Sequence, residues 1–351
     1  MAQIGATGQY ATTEADALPL IPQEVANEVI NGITEASATL SLFRRLPNMS
    51  SRTLRMPVLN SMGAASFIAG TVNDDLELGA DVEAPASVAE TGIPGLKDTH
   101  QMEWTNVYIH AEPLAIILPI GEDVLEDSQY PIWDEIRPRI VEAFGIAIDN
   151  AVIWGQGRPA SWPSGIVPTA ISRGFTYVES AEADNTAGTP EITLVDSTSE
   201  AMGLLEAVGY NPTGWIIDPV AKKDLRSLKD ANDRPLFVPS LTQGESNTLW
   251  GLPIEYVRNG TMRRATARFI VGDMNQAVYS IRSDMRFDIF REGVITDNTG
   301  AVVANLMQND MVALRVVMRL GWAVPNPIHA MGPDRDEKYP FAVLTAPAVG
   351  P

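Results

Sequence analysis

The segment from Ile120 to Val167, IGEDVLEDSQYPIWDEIRPRIVEAFGIAIDNAVIWGQGRPASWPSGIV, restricts what this chain can fold into more than any other part of it. It opens on a short acidic stretch, continues as an apolar series at helical spacing, and leaves through glycines. From Ile132 onward, Trp133, Ile136, Ile140, Phe144, Ala147, Ile148, Ala151 and Val152 recur at steps of three and four, the pattern of a helix with one buried stripe. Pro131 suits the first turn and Gly155 the stop. A helix of about 22 residues is a rod of roughly 33 Å, about the diameter of a small domain, so this element is expected to be the backbone of an extended body. Pro138 removes one amide donor in the second turn and either bends the start or marks the boundary itself.

The parts around this rod are uneven. Residues 1–20 are small, polar and without period, which reads as an arm. The run from Pro22 places Val25, Val29, Ile33 and Ala36 on one helical face and closes on Leu42, Phe43 and Leu46. Thr53 to Val58 alternates as a strand, with Trp104 to Leu118 as the returning strand. Residues 60–98 between them are rich in Gly, Ala, Asp, Glu and Pro and hold too few large apolar groups for a core of their own. An extended hairpin lying on another molecule would cover Phe67, Ile68, Val72, Leu76 and Leu78. Beyond the loop-rich stretch 159–190, helices are expected over Ser197–Val208 and Pro219–Lys229, and strands over Gly214–Asp218, Leu252–Val257, Arg268–Val271 and Ala277–Ile281. Together they form a mixed α/β region of roughly 90 residues. Met311 to Leu320 alternates, with Val312, Leu314, Val316, Met318 and Leu320 opposed to Arg315 and Arg319. The stretch after Pro325 is Pro-rich and reads as low in regular structure.

Chemistry is sparse. With no cysteine in 351 residues, disulfides, thiolate metal sites and cysteine nucleophiles are excluded, and stability must come from packing. A net charge of −19 disfavours general attraction to nucleic acid, which needs clustered Lys and Arg. The longest charge-free apolar run, near Leu114 to Ile120, is too short for a membrane span, and the N-terminus lacks an export signal. His100, His110 and His329 have no partners at metal-ligand spacing. Gly155 and Gly157 follow a helix rather than a strand and have no Lys-Ser or Lys-Thr after them, so they stop the helix and do not cradle a phosphate. Ser161 and Ser164 lack the context of a nucleophile elbow. Glu122, Asp123, Glu126 and Asp127 read as acids around a helix N-terminus, with acid/base or cation roles as the alternative. Trp133 and Trp154 read as core anchors. No catalytic, cofactor-binding or metal-binding residue is therefore assigned. One segment stands out in charge: Asp74, Asp75, Glu77, Asp81 and Glu83 have no base among them, as a solvated loop tip or as a loop that meets basic groups of a neighbouring subunit. With Arg44 and Arg45 these acids are the candidate assembly residues.

The order of parts resembles the major capsid protein of tailed phages, the HK97-like fold, from about Pro19 to Met331. The pieces that carry the resemblance are IPQEVANEVI with FRRLPNMSSRTLRMPV, the helix end IAIDNAVIWGQG followed by PSGIV, LWGLPIEYV, VGDMNQAVYSIR and NDMVALRVVMRLGWAV. The resemblance implies an α+β fold: an N-terminal arm (1–50), an extended β-hairpin or E-loop (51–103), a P-domain (104–195 and 285–330) with a spine helix at about 132–154, an α/β A-domain (196–284) and a C-terminal tail (331–351). It implies a structural protein and not an enzyme, self-assembling as hexamers and pentamers into an icosahedral shell of the virion. That shell would be assembled in the host cytoplasm around double-stranded DNA that it encloses without binding specifically. Expected partners are further copies of the chain, a separate scaffolding protein, a portal and a decoration protein; no cofactor and no membrane are expected.

A shell subunit needs many modest contacts, and a protruding arm and hairpin reach neighbours without enlarging any one core. The acidic excess would keep a genome from adhering to the inner wall if enough acids face it. Some relatives crosslink a hairpin lysine to a neighbour's asparagine; here no lysine precedes Lys97, at the hairpin's base, so covalent chain mail is not expected. An encapsulin-type compartment shares the fold and is the alternative, distinguished by enzyme cargo in place of a genome. A hydrolase using the acids Glu122 to Asp127 is the third reading.

Overall fold

A computed structural model describes residues 37–62, 71–72, 90–91, 101–123, 132–179, 194–227, 248–297 and 299–346. In chain order they form helix α1 (Ala38–Leu42), strands β1 (Arg44–Arg45), β2 (Thr53–Ser61), β3 (Thr71–Val72), β4 (Glu90–Thr91), β5 (Glu103–His110) and β6 (Glu112–Gly121), and the long helix α2 (Ile132–Asp149). A π-helical turn (Asn150–Trp154) continues α2 directly, followed by α3 (Ile166–Ser172), β7 (Thr176–Val178), α4 (Leu194–Ala207), β8 (Gly214–Ile217) and α5 (Ala221–Ser227). The remainder is almost all strand: β9 (Thr248–Leu249), β10 (Leu252–Tyr256), β11 (Phe269–Gly272), β12 (Val278–Phe290), β13 (Val294–Thr296), β14 (Val302–Asn305), β15 (Met311–Ala323) and β16 (Phe341–Thr345).

Two sheets organise these elements. One has four strands in the order β1-β12-β15-β6, the other six in the order β7-β16-β11-β8-β10-β9. The four-stranded sheet is built on the alternation of β15, whose even-numbered residues Leu314, Val316, Met318 and Leu320 are buried while Arg315, Val317 and Arg319 are half-exposed. Its neighbour β6 repeats the pattern, with Leu114, Ile116 and Leu118 turned to the core and Pro113, Ala115, Ile117 and Pro119 outward. β6 is an edge strand among the described residues, and Pro113 and Pro119 lack the amide that a further strand would need.

The long helix forms where its spacing predicts, and it runs through Pro138 without ending. Ile140, Phe144, Ile148, Ala151 and Val152 are buried in the same apolar cluster as the inner face of the four-stranded sheet. Pro131 and the side chain of Trp133 lie outside the described residues, as do Val25, Val29, Ile33 and Ala36 of the first expected helix. Gly155 ends the helix in the left-handed region at φ 68, where a side chain is costly. The PSGIV motif explains itself at the same place: a Cβ on Gly165 would stand 2.3 Å from the Gly155 amide nitrogen and 2.5 Å from the Trp154 carbonyl carbon, so only glycine lets the loop close back on the helix end.

The structure corrects three expectations. The returning strand over Trp104–Leu118 is two strands: β5 pairs antiparallel with β2, from Thr53 opposite His110, and after Ala111 the chain joins β15 as β6. The switch is built from the Ala111 amide, which donates to Arg52 O at 2.8 Å, and from Gly321, where a Cβ would meet the His110 carbonyl oxygen at 2.5 Å. The stretch after Pro325 is not without structure: β16 lies inside the six-stranded sheet between β7 and β11, and Phe341 to Leu344 are fully buried. A strand covered on both faces is a short apolar run with no alternation to betray it. The strand expected over Ala277–Ile281 is only the start of β12, which runs to Phe290 and pairs with β15 on either side of a register shift between Arg282 and Arg286.

Candidate assembly surfaces

The hairpin β2–β5 leaves the body from a braced root. Glu112 accepts from Ser161 Oγ at 2.8 Å and from Arg52 Nη2 at 3.1 Å, and these bonds, Ser161 first, hold its carboxyl below the usual carboxylate range. The buried Trp162 donates its indole N–H to His110 O at 3.1 Å, and Arg158 donates to Trp162 O. The loop after the long helix is therefore fastened to the point where the hairpin begins. One face of the hairpin, with Leu54, Met56, Val107 and Ile109, packs with Val278 and Ala323 at the end of the four-stranded sheet. The other face shows Trp104 at 64% and Tyr108 at 51% exposure.

The outward face of the four-stranded sheet is basic. Cross-strand pairing sets Arg282 opposite Arg319, Arg286 opposite Val317 and Asp288 opposite Arg315, with Pro113 and Ile117 beside the two β15 arginines. Asp288 accepts from Arg315 Nε at 3.1 Å and lies 3.8 Å from Arg286, and the Arg315 guanidinium sits 5.0 Å over the Phe290 ring. Among the described side chains this face gathers four arginines and one carboxylate in a chain of net charge −19.

The residues singled out from sequence are scattered. Arg44 and Arg45 are exposed on β1, whose backbone pairs in parallel with β12, and Arg45 donates to Asn48 Oδ1 at 3.2 Å. Asp74, Asp75, Glu77, Asp81 and Glu83 lie outside the described residues, as do His100, Glu126, Asp127 and Lys97. Glu122 is 3.7 Å from Arg291 in an exposed pair. His110 stacks on Tyr108 with ring centroids 6.4 Å apart. His329 meets the edge of Tyr210 at 5.3 Å, and burial, then Lys338, lowers its pKa below the ordinary histidine value. Trp154 is the core anchor its position suggests, donating to Thr261 O at 2.7 Å beneath the Arg263 guanidinium. Among the described residues no group of three or more His, Asp or Glu converges to hold a metal ion, and no helix is long and apolar enough to cross a membrane.

Sequence reasoning passed over Asp149. It is fully buried at the last α-helical position of α2 and binds residues 37–39 and Asn259. A signal existed: between Arg139 and Arg158 the helix carries no base, and while Glu142 is within reach of Arg139, Asp149 beside the buried stripe must find neutral donors.

Comparison with known proteins follows the same lines. A family model described as the phage capsid family matches residues 19–330. The major capsid protein of Staphylococcus phage 80alpha is 25% identical over 225 residues, an alignment that spans 64% of this chain and 64% of that protein. The probable major capsid protein gp17 of Mycobacterium phage L5 is 27% identical over 66% of this chain and 70% of that protein. Among solved structures, a chain from Microbacterium phage Oxtober96 superposes with a TM-score of 0.68 at 28% identity, covering 95% of this chain and 99% of that one. With a family model covering all but its two ends, and a solved phage structure that follows it nearly throughout, this chain belongs to the phage capsid family.

Proposed function

We propose that the protein is the major capsid (head) subunit of a tailed double-stranded DNA phage, with an HK97-like division of labour. The observation that carries this reading is the structural match over 95% of the chain. In this assignment the four-stranded sheet with α2 is the P-domain and the spine, the six-stranded sheet with α4 and α5 is the A-domain, and β2–β5 is the root of the E-loop. Copies assemble as hexamers and pentamers around DNA that is enclosed without specific binding, with a scaffolding protein, a portal and a decoration protein as the remaining partners, in the cytoplasm of the host. Net charge of −19 supports enclosure without adhesion.

The acidic hairpin segment and the basic sheet face are complementary, and this supports a contact between copies: Asp74, Asp75, Glu77, Asp81 and Glu83 of one subunit against Arg282, Arg286, Arg315 and Arg319 of the next. Such a contact adds electrostatic steering to the apolar surface of the hairpin. Arg44 and Arg45, exposed on the edge strand β1, take part in assembly in the same reading. The test is expression of the chain with and without scaffold, followed by gradient sedimentation. Material sedimenting as large particles is expected, and persistence as a small monomer in both cases rejects the assignment.

A further inference from the structure

The carboxylate of Asp149 gathers neutral donors from two distant parts of the chain. Its Oδ1 accepts from Ser37 Oγ and Thr39 Oγ1, both at 2.7 Å, and from the Thr39 amide at 3.2 Å. Its Oδ2 accepts from the Ala38 amide at 3.2 Å and from Asn259 Nδ2 at 2.5 Å. The Ala38 and Thr39 amides are first-turn donors of α1 that have no partner within their own helix, so a side chain of α2 completes the cap that Ser37 begins. The orientation of Asn259 is fixed from its other side, because its Oδ1 accepts from Thr261 N at 3.2 Å and Thr261 Oγ1 at 2.8 Å. Thr261 O in turn accepts from Trp154 Nε1. The loop Asn259–Thr261 is thus pinned at both ends of the π-helical turn, by Asp149 just before it and Trp154 at its close, and the same carboxylate holds the entry of the N-terminal segment.

We infer that Asp149 is the positioning residue that fixes where the chain before Ser37 joins the subunit body, and that it couples that junction to the loop Asn259–Thr261. If either moves, the other loses donors to a buried charge, which is strongly penalised. The consequence for assembly, that the start of α1 at Ser37 shifts with this loop, rests on the shell reading above.

Asp149→Asn keeps the shape and replaces one accepting oxygen by an NH2 group, leaving either Ala38 N and Asn259 Nδ2 together or, with the amide turned over, the Thr39 amide facing another donor. Adding Asn259→Asp reverses the polarity across the same contact and restores a donor-acceptor pair. The readout is the rate of tryptic cleavage at Arg44 and Arg45, which follow α1 directly, with fragments identified by mass and the core followed by circular dichroism. Cleavage is expected to rise about tenfold in D149N, as local opening of that segment becomes easier, and to fall back toward the native rate in D149N/N259D. Should D149N fail to fold, N259A removes only the loop's contribution and is expected to raise the same cleavage several-fold. An unchanged rate in D149N or N259A, or a double variant no better protected than D149N, overturns the inference. Unassembled wild-type protein would count against the shell reading while leaving the cleavage comparison intact.

Discussion

Gly165→Ala probes the closure of the loop on the end of the long helix. Gly165 has φ −58, so alanine can adopt its backbone conformation and the whole cost is contact. The added Cβ would stand 2.3 Å from Gly155 N, 2.5 Å from Trp154 C and 2.8 Å from Ile153 O, all of them backbone atoms that cannot swing aside. Relief requires the helix end or α3 to move by about 1 Å, given an ordinary contact distance near 3.5 Å. Overpacking of a tight interior costs about 1–3 kcal/mol, and with three backbone atoms in the way the upper end, about 3 kcal/mol, is expected. Gly157 supplies the control: it has φ 67 and nothing within 4 Å of an added Cβ, so Gly157→Ala isolates the left-handed backbone cost of about 1 kcal/mol. Urea unfolding of unassembled subunits, followed by tryptophan fluorescence, separates the two. With m near 3 kcal/mol/M, G165A should lower the midpoint by about 1 M and G157A by about a third of that. Equal midpoints for G165A and wild type would refute the close approach of Gly165 to the helix end.

Two further outcomes follow from the geometry. Reversing charge on the basic sheet face with Arg282→Glu should reduce particle yield, and the wild-type yield should fall with added salt; sedimentation at two ionic strengths checks both. Lys338 is 1% exposed, donates its ammonium to Pro327 O and lies 5.2 Å over the Tyr210 ring. Burial, and then Arg335, pulls its pKa from 10.5 down to about 8. Between those values the unfolded chain binds more protons than the folded one, so this group raises stability as pH climbs from 8 toward 10.5, by about 3 kcal/mol in full. Lys338→Met should flatten that rise in urea midpoints measured between pH 7 and pH 9.5, and an identical pH profile in the two proteins would show that the amine is not held at that value.

Much of this architecture is legible in the sequence wherever one face of an element is buried and the other is not. The stripe Ile140, Phe144, Ile148 and Val152 and the alternation from Val312 to Leu320 both announce their period, and both elements form as read. Gly155 marks its stop because the left-handed conformation selects for it. Period reveals less where both faces are covered, which is why Phe341–Thr345 passes for a tail although it lies within the larger sheet. It also fails where the chain changes sheets without changing conformation, as at Ala111 between β5 and β6. The assembly surfaces are the least legible part. The basic face exists only because the register of β12 on β15 aligns arginines that are 29 to 37 positions apart, and the partners of Asp149 lie about 110 residues away on either side.

The most direct measurement of the central claim is cryo-electron microscopy of particles formed by the full chain. The account predicts closed icosahedral shells in which the six-stranded sheets surround the hexamer and pentamer centres, the four-stranded sheets lie at the periphery, and each hairpin rests on the basic sheet face of a neighbour. Shells in which that face is bare, or a preparation holding only small soluble oligomers, would contradict it.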